Sequence, residues 1–366
     1  MSWQLLTVHY NYGGNLTALF CTGVLLGIPP ALEREHIYRF PNRSSGYDGQ
    51  AYHYVAHDPL ARTEIARALG PDGAYRYPRI LLPAMAYLMA LGRQDWIDRS
   101  YIACNLFFLF LGAWWLTAIL IRLGMHPGFA VLYLLVPGVL ISVDRLIVDL
   151  PLISLSLGFL VYTASNVRWR LYLILVLAAL CRETGFVLAL ACAIPPLFAR
   201  RYRQSLFWAS ALLPAIAWYG FVRWFLVTAL TTRTIPLLGP LGTVLLHPIP
   251  YPFPAATTTA LRILDGLLLF GEWVAVVGGL RRLKEAPVDP VCAAMVLWAI
   301  VGIPVSVSTD FYSSSRALTP LLLFGFLRGL SERRRVDRLP LLMVSPRIWI
   351  QLLPQVGGVL RGIVAG

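Results

Sequence analysis

Lysine is all but missing from this chain: of its 31 basic residues only Lys284 is one. Charge of either sign is sparse, at 13% of residues where a soluble domain carries about 25%. An extensively charged, water-facing surface is thereby excluded. A mean hydropathy of +0.66 and 58% hydrophobic residues point to lipid as the main surrounding. The apolar runs are continuous and lack period-two alternation, which argues against a β-barrel. The five cysteines (Cys21, Cys104, Cys181, Cys192 and Cys292) lie in or beside apolar runs. None has metal-ligand spacing and the count is odd, so they read as small hydrophobes in helices. No Walker loop, HExxH, CxxC, GxSxG or dinucleotide fingerprint occurs, nor any internal repeat. No basic segment precedes the first apolar run, so no cleaved signal peptide is expected.

What is present is a succession of apolar runs. They predict an all-α polytopic membrane protein of about ten transmembrane helices, at 16–32, 101–121, 128–141, 146–163, 171–180, 185–198, 206–226, 261–280, 291–307 and 317–327. Several are shorter than the roughly 20 residues a bilayer needs, so they either extend through polar ends or stop beside a cavity. With the N-terminus inside, the basic clusters fall on one side: Arg122, Arg168 and Arg170, Arg200 to Arg203, Arg281 to Lys284, and Arg328 to Arg338. That is the positive-inside pattern, so the net charge of +13 reflects topology and not nucleic-acid binding. Arginine-rich usage suits a bacterial inner membrane. Residues 1–338 read as a single transmembrane domain. Residues 339–366, broken by Pro340, Pro346 and Pro354, read as a cytoplasmic interfacial tail, with an eleventh span as the alternative.

The longest hydrophilic interval, 33–100, is placed outside. Two juxtamembrane helices are expected in it. One starts at Asp58-Pro59, with Asp58 as N-cap, and stops at Gly70-Pro71. The other is the apolar piece 80–91, too short to span. Within the interval stands Tyr47-Asp48-Gly49-Gln50-Ala51-Tyr52-His53-Tyr54-Val55-Ala56, followed by Tyr75-Arg76-Tyr77-Pro78-Arg79-Ile80-Leu81-Leu82-Pro83.

These two segments resemble the aromatic-Asp-small signature and the aromatic-Pro-x-x-Pro segment of PIG-V-like mannosyltransferases of the GT-C superfamily. They are also similar to a group of bacterial membrane proteins sharing Tyr-Asp-Gly-Gln. The likeness covers roughly 40 residues, with hydropathy alone elsewhere. It departs in having Tyr47 where that family has Trp or Phe. The resemblance implies a GT-C-like bundle that transfers sugar from a polyprenyl-phosphate donor to a cell-surface glycan or glycolipid, on the periplasmic side.

The residues fit such chemistry. An acceptor hydroxyl must lose a proton as it attacks the anomeric carbon, and one carboxylate suffices for inversion. Asp48 is the candidate base; beside apolar surface its pKa is expected to rise. Alternatively, Asp48 only N-caps a helix over 49–57. Gly46 and Gly49 leave room around it. Gln50 is placed to hydrogen-bond a sugar hydroxyl, and Tyr47, Tyr52 or Tyr75 to stack on a sugar ring. The leaving phosphate needs guanidinium partners, and Arg79, Arg145, Arg182 and Arg316 are the candidates. Glu183 beside Arg182 breaks an apolar stretch, marking a cavity. Arg145 and Asp149 alternatively form a plain i,i+4 pair. Asp58 is a further substrate-binding candidate beside its capping role. His53 and His57, also i,i+4, lack a clear third ligand, so neither metal nor cofactor is expected. The proline-rich loop 231–254 reads as a lid or as a connector. A transporter or flippase of lipid-linked sugars, or a non-catalytic subunit of a glycan assembly complex, are the competing readings.

Overall fold

A computed structural model describes residues 2–24, 26–41, 44–165, 167–226, 251, 253–305 and 311–365. Most of the expected lid, including His247, therefore lies outside the described residues, as does Asp310. Among the described residues the fold is all-α, with one isolated parallel bridge between Thr22 and Arg39.

The number of membrane-crossing helices is smaller than the apolar runs suggested. Among the described residues four are long and apolar enough: Gln94–Arg122, Tyr202–Trp224, Ala255–Lys284 and Val336–Ala365. A fifth arises if Pro127–Leu135 and Pro137–Arg145, bent by 63°, count as one span. These lengths suit a multi-pass membrane protein, but not ten spans. The reasons are local. The run at 16–32 folds as two short 3-10 segments, Leu16–Phe20 and Pro30–Glu35, because Cys21 and Gly27 turn left-handed and Pro29-Pro30 lacks backbone donors. Asp149–Ser165, Glu183–Phe198 and Pro290–Pro304 are apolar but fall below span length. Phe311–Ser331 opens on Ser313-Ser314-Ser315-Arg316 and is absent from the apolar set. The C-terminal stretch, expected as a tail, forms one of the long apolar helical runs.

The elements that build the site come first in the chain. Helix α1 (Ser2–Tyr12) packs on the last helix, Leu353–Ala365. Helix α2 (Asp48–His57) is buried from Gly49 to His57, although its sequence is polar enough to suggest a loop. It can go inside because its polar side chains find partners, as shown below. It packs on α5 (Leu81–Met89) and on the start of α6 (Gln94–Arg122). Between them, α3 (Glu64–Ala68) and α4 (Gly70–Arg76) replace the single helix expected from Asp58-Pro59. Thr63, not Asp58, caps α3, its hydroxyl accepting from Ile65 N. Gly70-Pro71 starts α4 where a stop was expected, since proline is accommodated in a first turn.

Helix α7 (Pro137–Arg145) ends where Leu146 turns left-handed, and α8 (Asp149–Ser165) follows. Apolar on all sides, α8 is buried along most of its length and packs against α6, α7 and α9 (Arg168–Cys181). Helix α10 (Phe186–Phe198) follows a 3-10 turn at Glu183–Gly185.

Two glycines let α2 dock. Gly46, at φ +80°, lies so close to the 21–23 segment that a Cβ would stand 2.6 Å from Gly23 N and 2.7 Å from Cys21 O. At Gly49 a Cβ would run into the Arg145 carbonyl. Gly46→Ala is therefore expected to cost about 1–3 kcal/mol, read as a lowered melting temperature of the purified protein. An unchanged melting temperature would show that this approach is not tight.

Candidate functional site

Asp48 is the first residue of α2, but it does not cap it; Tyr47 occupies the N-cap position and makes no side-chain cap bond. The Asp48 carboxylate is spent elsewhere. Arg76 Nη2, from the end of α4, donates to Oδ1 at 2.7 Å. Arg316 Nη2 donates to Oδ2. The capping alternative is thus set aside by geometry. The expected rise in pKa does not occur either. Burial pushes the Asp48 carboxyl up, but the guanidiniums of Arg316 and Arg76 outweigh it and hold it well below the usual carboxylate range.

From Asp48 the charges continue without a break. Arg316 Nη1 stands 3.9 Å from Asp149 Oδ2 at the start of α8, and Asp149 Oδ1 accepts from Arg182 Nη1. Arg182 Nε lies 3.6 Å from Glu183 Oε1. Glu183 in turn grips Arg79 with both oxygens, at 3.0 Å to Nε and 2.5 Å to Nη2. Arg79 Nη1 donates to Tyr52 Oη at 2.7 Å, and Arg76 Nη1 donates to the same oxygen at 3.3 Å. The chain closes on itself as a ring. Its four arginines (76, 79, 182 and 316) face three carboxylates (48, 149 and 183), leaving one positive charge over. Arg316 Nε and Nη1 are buried and make no hydrogen bond among the described residues.

A cavity of about 260 Å³ opens on this ring, lined by Tyr47, Asp48, Gln50, Asp72, Arg76, Ser313 and Arg316 among others. A larger cavity of about 410 Å³, bordered by Arg168, Arg201 and Trp208, has no carboxylate in its wall. Size therefore does not select the site. Juxtaposed acid and guanidinium groups do.

Several expected roles are corrected by the contacts. Gln50 has its amide spent on backbone: Oε1 accepts from Gly23 N at 3.0 Å, and Nε2 donates to Ser45 O at 3.2 Å. It holds the loop before α2 while also lining the cavity. Tyr52 is buried under Arg76 and Arg79 and cannot stack on a ligand ring. Asp58 organises the following turn, accepting from Arg62 N, Thr63 N and Thr63 Oγ1 at 2.8–2.9 Å. Arg79 is engaged by Glu183 and Tyr52, and lies 4.0 Å from the Tyr75 ring centroid. It is a scaffold for the ring, not an open phosphate clamp. Arg145 does not pair with Asp149, because the helix breaks between them. It sits 2.9 Å from Asp144 Oδ2, and its Nη1 donates to Cys21 Sγ at 3.2 Å. Tyr47 lies beside both Arg145 and Arg316, at 5.7 and 5.3 Å from their guanidinium carbons.

Asp48, Tyr52, Arg79, Arg182, Glu183 and Arg316, six of the expected site residues, are brought together in the ring. Arg76 was not singled out, although the Arg76-x-x-Arg79 spacing places two guanidiniums within one helical turn. His53 and His57 do meet a third ligand-type residue, Asp98. All five cysteines are free and buried, as small hydrophobes would be. No family model, curated protein or solved structure matches the chain.

Proposed function

We propose that this chain is a membrane glycosyltransferase of GT-C type. It would move a sugar from a polyprenyl-phosphate donor to a glycan or glycolipid acceptor, on the outer face of a bacterial inner membrane. One observation carries the reading: the Asp48 carboxylate is held between Arg76 and Arg316 on the wall of a cavity that Asp72 also lines, within a ring of four arginines and three carboxylates. A base and a phosphate clamp are the two devices that sugar transfer from a lipid phosphate requires.

The tight pairing gives the base a condition. While both arginines hold Asp48, its proton affinity is low and it is a poor base. A donor phosphate binding at Arg316 competes with Asp48 for the same guanidinium. Asp48 then loses a neighbouring positive charge and becomes more basic only with donor in place. The acceptor oxygen attacks the anomeric carbon and passes its proton to Asp48. The bond from that carbon to the phosphate oxygen breaks, and its electron pair stays with the phosphate, beside Arg316 and Arg76. The product has inverted configuration.

Proteoliposomes containing the chain and a labelled polyprenyl-phosphate hexose are expected to move label to a glycolipid acceptor. Failure with every hexose donor tried, together with transbilayer movement of the donor, would replace the enzyme with a flippase. The pH dependence should also be split. The acid limb of kcat/KM reports the free protein and should lie below the ordinary carboxylate value of about 4. The acid limb of kcat reports the complex and should lie higher, because phosphate has taken a guanidinium from Asp48. Coincident limbs would count against this competition.

A further inference from the structure

The end of α2 remote from Asp48 carries a second constellation. His53 Nε2 lies 2.6 Å and His57 Nε2 3.1 Å from the same oxygen, Asp98 Oδ1, near the start of α6. The three ligand atoms fall within 4.8 Å of one another. Both histidines are buried. The His53 ring is stacked on Phe20, with centroids 4.0 Å apart and planes 8° from parallel.

The hydrogen bonds around His57 say what these atoms face. Gln94 Nε2 donates to the His57 carbonyl at 3.3 Å, which can only accept. That turns Gln94 Oε1 toward His57 Nδ1, at 2.6 Å. Nδ1 must therefore carry its proton, and neutral His57 presents an Nε2 lone pair to a carboxylate oxygen that is itself a lone pair. Two acceptors then meet unless a proton or a metal cation lies between them to attract both. A cation resolves the conflict. Gln94 is also the kind of outer partner that fixes a ligating imidazole in its tautomer.

We propose that His53, His57 and Asp98 bind a divalent first-row transition ion, Zn2+ by preference, through the two Nε2 atoms and the Asp98 carboxylate. Two imidazoles and one carboxylate match borderline-soft metals and not Mg2+ or Ca2+. At metal–ligand distances of about 2.1 Å a tetrahedral site has edges near 3.4 Å, so the ligand atoms need to spread by several tenths of an ångström. The ion ties α2 to the long helix α6. Along the axis of α2, Asp48 stands about 8 Å from His53 and about 14 Å from His57. The ion's role is to hold α2 in place and not to touch substrate, so the site stands independently of any sugar-transfer activity.

The full chain, purified in detergent through a tag without histidine, tests this directly. Elemental analysis after dialysis against Zn2+ should find one metal per chain. Co2+ substitution should give the visible absorption of a low-symmetry site, and Zn2+ should raise the melting temperature of chelator-treated wild type. His57→Gln and Asp98→Asn should each weaken Co2+ binding by at least about 100-fold, since an inner-sphere ligand matters more than an outer one. The wild-type titration decides the matter even if a variant fails to fold. Wild type that binds neither Zn2+ nor Co2+ at micromolar concentration overturns the proposal and leaves a proton shared between His57 and Asp98.

Discussion

Asp48→Asn is expected to reduce sugar transfer about 10²- to 10⁴-fold, the usual contribution of a positioned general base. The amide has nearly the same shape, so α2 should still dock. Its carbonyl oxygen can face one guanidinium, but its NH2 end then faces the other, which has no acceptor to offer. The ring would go from one uncompensated positive charge to two. A loss of stability should accompany the loss of activity, so both must be measured: initial transfer rates in proteoliposomes, and melting of the same preparation. Asp58→Asn is the control. Its carboxylate serves the turn at 58–63, and the substitution should lower the melting temperature while leaving kcat within a few-fold. Transfer by the Asp48 variant at the wild-type rate would remove this carboxylate from the chemistry. The pairing also carries a pH signature in stability. Because the folded Asp48 carboxyl is held below its usual range, its contribution is complete above that range and drains away only as pH falls through the lowered value.

Asp149→Ala should be the most damaging change to the fold, by about 3–5 kcal/mol, because it strands a buried guanidinium. Asp149 begins α8, a largely buried helix, and its carboxylate serves both Arg182 and Arg316. With that carboxylate gone, Arg182 keeps only a 3.6 Å approach to Glu183, which Arg79 already holds. Replacing both members by leucine should behave differently. A buried ion pair exchanged for well-packed apolar side chains is often neutral or stabilising, so Asp149→Leu with Arg182→Leu should recover much of the lost stability. Under the proposed reading transfer should not recover with it, since the double variant also takes the Asp149 carboxylate away from Arg316, the arginine that would meet the phosphate. Chemical unfolding of the two single variants and the double variant gives the coupling energy directly. A single-variant cost below about 1 kcal/mol would mean that water reaches the pair, and the ring would then be an ordinary surface network.

Several charged positions were legible in the chain, but their contacts were not. Arg182, Glu183 and Arg316 stood out because charge is rare in this chain and each interrupts or borders an apolar run, whereas Asp48 stood out by its motif within the longest hydrophilic interval. Their pairing was not legible. Arg316 reaches Asp48 across 268 residues of sequence, and Arg79 reaches Glu183 across 104. Spacing rules see only neighbours within a helical turn, which is why Arg145 was offered Asp149 and Asp58 was offered a helix to cap. Gln50 and Tyr52 looked available for a ligand because their partners, Gly23 N and the two arginines, are not adjacent to them in the chain. Asp98 escaped notice as a metal ligand for the same reason, lying 41 residues beyond His57.

Composition and periodicity alone determined that the chain is helical, largely apolar and furnished with long membrane-type helices. Those properties follow from each segment's own side chains and its own backbone bonds. Only the tertiary structure decided how many runs reach span length, that α2 is inside, and that Asp48 is acidic and not basic at rest. A pKa, and the exposure of a polar helix, are set by which distant charges arrive at contact distance, and nothing in a local stretch of sequence specifies that arrival.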